Sequence, residues 1–189
     1  MTIRSFIALP VPGDIAEHLA QLHETVSGDA GRVTWVKAVA IHLTFVFLGD
    51  IEEGLITPIQ EALEAAASGT DPFETSLGKV GAFPSLRRPR VIWAGLEKGA
   101  DEAGRLKRRI DEMLLPLGFQ VERKRFSPHI TIGRIRSTGR PGALEQAAAE
   151  WILPQETWIS QEVVFYQSEL TRSGPIYTAL ARVPLGGNG

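Results

Sequence analysis

Two short runs in this sequence place a titratable ring and a hydroxyl two residues apart: Ile41-His42-Leu43-Thr44-Phe45 and Pro128-His129-Ile130-Thr131-Ile132. With four His and 12 Thr among 189 residues, that spacing at two histidines arises by chance in about 2% of cases, before apolar neighbours are required. Side chains alternate along a strand. His42 and Thr44 therefore share one face while Leu43 and Phe45 point to the other, and His129 and Thr131 stand in the same relation to Ile130 and Ile132. The apolar faces are accounted for by packing on helices. The His–Thr faces have no such structural need and predict a lined cleft.

Displacement at phosphorus is the chemistry that wants this arrangement. The attacking and leaving oxygens lie in line, so a base and an acid must approach from opposite sides. Two His on one strand face would stand side by side, about 7 Å apart. Two on separate strands can face each other across a groove. An imidazole with an ordinary pKa of about 6.5 serves as either base or acid near neutral pH. Thr44 and Thr131 would aim hydroxyls at the non-bridging phosphate oxygens. Two His without an accompanying carboxylate motif make a poor metal set, so no metal and no other cofactor is expected. His18 and His23, beside a helical stripe, read as solvent-facing.

The elements that must hold these strands follow from hydrophobic period and turn residues. Residues 4–9 read as a strand closed by Pro10 and Pro12, followed by a helix carrying Ile15, Leu19, Leu22 and Val26. Residues 32–36 and 41–48 read as strands, the second ended by Gly49. Asp50 with Glu53 reads as the capping start of a second helix through Ile51, Leu55, Ile59 and Leu63, kinked at Pro58. Residues 73–83 and 90–96 read as strands around a basic hairpin loop at 84–89. A third helix carries Leu106, Ile110, Met113, Leu114 and Leu117, and residues 129–135 form the second histidine strand. A short helix at 141–151 precedes two long strands, 158–170 and 176–183, paired around residues 172–175. Strands and helices mix without strict βαβ alternation or a Gly-rich nucleotide fingerprint, which predicts an α+β fold with antiparallel sheets.

Composition sets the outer bounds. Hydrophobic residues make up 43% and charged residues 22%, as in a globular chain, and Cys is absent, which excludes disulfides, thiolate metal sites and cysteine nucleophiles. No run is long enough for a spanning helix, and residues 1–10 show no leader pattern, so a cytoplasmic protein is expected. The formal net charge of −2 hides an asymmetry: from Arg87 to Arg140 there are 14 Lys and Arg against 6 Asp and Glu. A basic middle suits an anionic ligand.

With these residues in view the chain resembles a family. The paired His-x-Thr motifs, 87 positions apart, and the opening run Arg4-Ser5-Phe6-Ile7-Ala8-Leu9 are similar to those of the two-histidine phosphoesterases. The segments at 42–49, 81–84, 89–93, 126–134 and 174–177 resemble the RNA 2′,3′-cyclic phosphodiesterases once called 2′-5′ RNA ligases. The resemblance implies a single bilobal domain over residues 1–185, with two antiparallel sheets and flanking helices in pseudo-two-fold arrangement around a central cleft; the run Gly186-Gly187-Asn188-Gly189 itself reads as a flexible tail. It also implies hydrolysis of a terminal 2′,3′-cyclic phosphate to a 2′-phosphomonoester, with 2′-5′ ligation as the reverse, His42 as proton donor and His129 as proton acceptor. The residues taken alone find the pair and leave open which is which.

Arg134, as Arg commonly does in this family, follows the second motif and is a candidate phosphate clamp. On a regular strand it points away from His129, so it reaches the cleft only across a bulge, expected at Gly133. Phe126 and Tyr177 are candidates for stacking on a base or sugar, and Arg87, Arg88, Arg123, Lys124 and Arg125 for steering an RNA backbone. The partner expected is RNA with a 2′,3′-cyclic phosphate end, bound by a monomer with no membrane involved. Two other readings stand beside this one: a phosphodiesterase for a small nucleotide such as an ADP-ribose cyclic phosphate, and an RNA-binding module without turnover.

Overall fold

Alternating apolar residues build a sheet that buries one face and leaves the other open. The computed structural model describes residues 1–26, 31–120, 125–140, 142–172 and 174–186. Nine strands, β1 (Thr2–Pro10), β2 (Gly31–Trp35), β3 (His42–Glu52), β4 (Phe73–Phe83), β5 (Val91–Leu96), β6 (His129–Thr138), β7 (Thr157–Ser160), β8 (Glu162–Thr171) and β9 (Gly174–Pro184), pair antiparallel. Among the described residues the α-helices are α1 (Gly13–Gln21), α2 (Ile56–Ala67), α3 (Ala100–Leu114) and α4 (Ala143–Glu150).

The strand order is β7-β4-β5-β6-β3-β1-β8-β9, with β2 beside β6. Each half has four strands on this path, and the halves meet where β3 and β6 pair through the single register contact Leu43↔Ile130. The two expected sheets are thus two halves joined edge to edge, and their seam runs between the two histidine motifs. Leu43 and Ile130 are fully buried there, in one apolar cluster with Ile7, Phe45, Ile92 and Ile132 from the strands and Leu19, Leu63, Leu106 and Ile110 from the helices. Fully burying each such side chain contributes about 1.5–3 kcal/mol.

Several local expectations are corrected by pairing partners that are remote in sequence. Gly49 does not end the first histidine strand, because β1 keeps pairing through Arg4↔Asp50 to Thr2↔Glu52. Asp50 therefore lies in a strand and cannot cap; α2 begins at Ile56 without a side-chain cap. Pro58 falls in the first turn of α2, where backbone N–H groups have no intrahelical acceptor, so it starts the helix rather than kinking it. The expected strand at 158–170 divides at Gln161: β7 pairs with β4, whereas β8 pairs with β1 and β9. Gly186 is tied down by its amide, which donates to the Ala67 carbonyl; residues 187–189 lie outside the described residues.

Candidate active site

The seam decides the geometry. Leu43 opposite Ile130 in an antiparallel pair, with the register carried one residue either way, sets His42 opposite Thr131 and Thr44 opposite His129. The four side chains form a quartet about a pseudo-two-fold axis through the Leu43↔Ile130 contact, on the face away from the helices. The two imidazoles stand on a diagonal, about 7–8 Å apart at their bases.

Both rings are set the same way. His42 Nδ1 donates to the Ala40 carbonyl at 2.9 Å, and His129 Nδ1 donates to the Ser127 carbonyl at 2.7 Å, each two residues back. A carbonyl only accepts, so each bond holds the proton on Nδ1, the tautomer in which Nε2 carries the lone pair of the neutral ring. Aromatic walls complete each half. Phe6 stacks on His42 at 4.8 Å, Tyr177 meets it edge-on at 5.4 Å, and Tyr166 stands at 6.5 Å. On the other side Phe83 meets His129 edge-on at 4.9 Å and Trp93 lies at 6.4 Å. Gly81, the register partner of Trp93, makes this possible: a Cβ there would come within 2.3 Å of the indole.

Arg134 enters the cleft by a bulge. Against β5, Trp93 pairs with Thr131 but Ile92 pairs with Gly133, leaving Ile132 as an extra residue. The shift reverses side-chain parity and returns Arg134 to the histidine face. Its charge is felt there by both the His42 ring and the Tyr177 phenol. Gly133 is where the strand is squeezed, since a Cβ at that position would meet Trp35 and Val33 at 3.0 Å. The first motif has the same device. Ala8 pairs with Thr44 and Ile7 with Val46, so Phe45 is extra, three residues past His42 as Ile132 is three past His129.

By that symmetry Phe47 is the counterpart of Arg134; the residue is 65% exposed, and its ring lies 6.0 Å from that of Phe6. Sequence reasoning missed Phe47. Aligning the two motifs and reading five residues past each His would have found it. Phe6, Tyr166, Phe83 and Trp93 were also missed, because only pairing between distant strands brings them to the histidines.

Of the residues expected at the site, His42, His129, Thr44, Thr131, Arg134 and Tyr177 share one face. Phe126 does not join them: its ring packs on Phe45, 5.9 Å away, with the Lys107 ammonium 5.9 Å from its centre. Both neighbours belong to the buried side of the sheet, so Phe126 serves the core. Arg123 and Lys124 lie outside the described residues. His18 and His23 are exposed, their rings hydrogen-bonded to the Ile152 and Ala20 carbonyls. Among the described residues no three His, Cys, Asp or Glu side chains cluster as metal ligands would.

Burial holds the His42 imidazole down at about 4; the bond to Ala40 acts against this and the Arg134 charge adds to it. His42 is thus neutral near pH 7 in the unliganded cleft. Unfolded, it takes its proton near pH 6.5, before the folded form does. The stability this confers is fully present above about pH 6.5 and is lost as pH falls toward 4, by up to roughly 3 kcal/mol. Denaturant unfolding of wild type and His42→Ala across that range should show their stability difference shrinking as pH falls, and a difference independent of pH would refute the assignment. Burial pushes the Tyr177 phenol up, with Arg134 and Arg4 acting against it, so it stays protonated beside His42.

Comparison with known proteins repeats the two-fold pattern. The family model "LigT like Phosphoesterase" matches twice, over residues 9–93 and 95–177, with one histidine motif in each match. The chain belongs to the LigT-like phosphoesterase family. Relatives of this LigT-like chain include a protein of Methanothermobacter thermautotrophicus named RNA 2′,3′-cyclic phosphodiesterase, 31% identical, with 94% of this chain and 96% of the relative covered. One of the same name from Archaeoglobus fulgidus is 34% identical, covering 94% and 98%. Among solved structures, a Thermus thermophilus protein superposes with a TM-score of 0.81 at 26% identity, over 99% of this chain and all of that one. E. coli LigT complexed with 3′-AMP gives 0.73 at 25% identity, over 98% and 99%.

Proposed function

We propose that this LigT-like protein is an RNA 2′,3′-cyclic phosphodiesterase, a cytoplasmic monomer that opens a terminal cyclic phosphate to a 2′-phosphomonoester without a metal, with 2′-5′ ligation as the reverse. The observation that carries the reading is the matched pair of imidazoles across the seam, each oriented by an Nδ1 bond to a carbonyl two residues back. The names of the relatives supply the substrate class.

In the reading, water attacks phosphorus as His129 Nε2 takes its proton, and the P–O3′ bond breaks as His42 Nε2 hands a proton to the departing oxygen. Thr44, Thr131 and Arg134 hold the non-bridging oxygens while charge builds on them. His42 is neutral near pH 7 in the free protein, so a donor role requires it to load a proton with the substrate. An anionic phosphate between the two rings favours the imidazolium and supplies that shift. Phe47 offers an exposed ring face on which the terminal base stacks.

The decisive experiment is incubation with an oligoribonucleotide ending in a 2′,3′-cyclic phosphate, in the presence of chelator, followed by identification of the monoester. A 2′-phosphate formed at an undiminished rate is expected. A 3′-phosphate product would overturn the choice of leaving oxygen, and loss of turnover on chelation would overturn the metal-free mechanism.

A further inference from the structure

A second cationic surface begins where the cleft ends. A groove of about 670 Å³ lies between the loop joining β4 to β5 and the far end of β6, and Arg87, Arg88, Arg90, Arg136 and Arg140 line it. All five are exposed, and none forms a salt bridge among the described residues. No acidic and no aromatic side chain among the described residues lines the groove. Five unneutralised guanidinium groups in a chain of net charge −2 are costly to gather through mutual repulsion, and an anionic occupant relieves that cost.

The groove is built, and β6 links it to the reactive centre. The Arg88 amide donates to Ser85, the Arg90 amide to Phe83 and the Ile135 amide to the Arg90 carbonyl, which fastens the loop to β6. Arg136 lies two residues past Arg134, and its Nε donates to the hydroxyl of Thr34, the register partner of Arg134. Positive charge therefore runs from the cleft, through Arg134 and Arg136, into the groove.

We propose that the groove holds the sugar–phosphate backbone of the RNA strand leading to the reacting end. The inference rests on the functional reading above and adds what that reading lacks, a site for the body of the substrate. Guanidinium forks match phosphate oxygens. Without aromatic platforms the groove reads charge and not base identity, so its contribution is independent of sequence and sensitive to salt.

The test uses two substrates and one binding assay. Wild type is expected to turn over a cyclic-phosphate-ended 12-mer with a KM at least tenfold below that for a mononucleoside 2′,3′-cyclic phosphate, and the gap should close as salt rises. The triple variant Arg87→Ala, Arg88→Ala, Arg140→Ala should raise KM for the 12-mer about tenfold, leave its kcat unchanged, and leave mononucleotide turnover unchanged. Anisotropy with a labelled 12-mer bearing a plain 3′-hydroxyl reads the groove without catalysis. Its log Kd against log salt should flatten by about 0.7 for each phosphate contact removed. Replacing the same three residues by Lys should restore most of the affinity. Equal KM values for the two substrates, 12-mer binding unaltered in the Ala variant, no rescue by Lys, or equal competition by polyglutamate at matched charge would each overturn the proposal. Absence of turnover on both substrates with salt-sensitive 12-mer binding intact would defeat the catalytic reading and leave the groove standing.

Discussion

Replacing either His42 or His129 by Ala lowers kcat for cyclic phosphate opening by about 10²–10⁴-fold, the range that general acid–base catalysis supplies. The double variant should fall little further than the worse single one, because proton removal from water and proton delivery to O3′ belong to one displacement at one phosphorus. Matching circular dichroism spectra at pH 7.5, recorded well below each variant's melting temperature, would show that the loss is chemical. In wild type, kcat/KM should show a limb that falls as pH rises above about 4, where the His42 ring of the free protein gives up the proton it must donate. That limb should vanish in His42→Ala. Single-variant losses that multiply in the double variant would mean that the two rings do not share a phosphoryl group.

Arg134→Ala carries the next largest effect, a loss of about 10²–10³-fold in kcat, as for removal of one preorganised donor to a charge-bearing oxygen. A second readout separates this from a structural role. Arg134 depresses the His42 pKa in the unliganded cleft, so its removal should move the His42 titration upward, and the Tyr177 titration upward as well. NMR titration of the ring protons follows both. Arg134→Lys keeps the charge but loses the fork, so it should leave the His42 titration near its wild-type position and recover only part of the rate. An unmoved His42 titration in Arg134→Ala would show that the bulge does not bring this side chain to the cleft.

The site was more legible than its frame. His42, Thr44, His129 and Thr131 could be read because strand alternation is local: three consecutive positions suffice to say which side chains share a face. Residues 73–83 were read as a strand that matches β4 in full, for the same reason. The requirement for a bulge before Arg134 was also legible, since parity alone demanded one. Its location at Ile132–Gly133 depends on how β5 pairs and on the approach of Trp35 and Val33, which no window of sequence contains. The misreadings share that origin. Asp50 carries a capping pattern, but pairing with Arg4 of β1 outweighs it; Phe126 is an aromatic beside the motif, but Phe45 and Lys107 draw it into the core.

Residue type and spacing alone determined that this chain carries two half-sites suited to moving protons at phosphorus. Only the folded sheet decided that the half-sites oppose each other, by pairing Leu43 with Ile130 across 87 positions, and that Arg134 and Phe47 join them. The physical reason is range: alternation is written into each strand by its own backbone, whereas register, bulges and burial are set by partners that the chain must fold to meet.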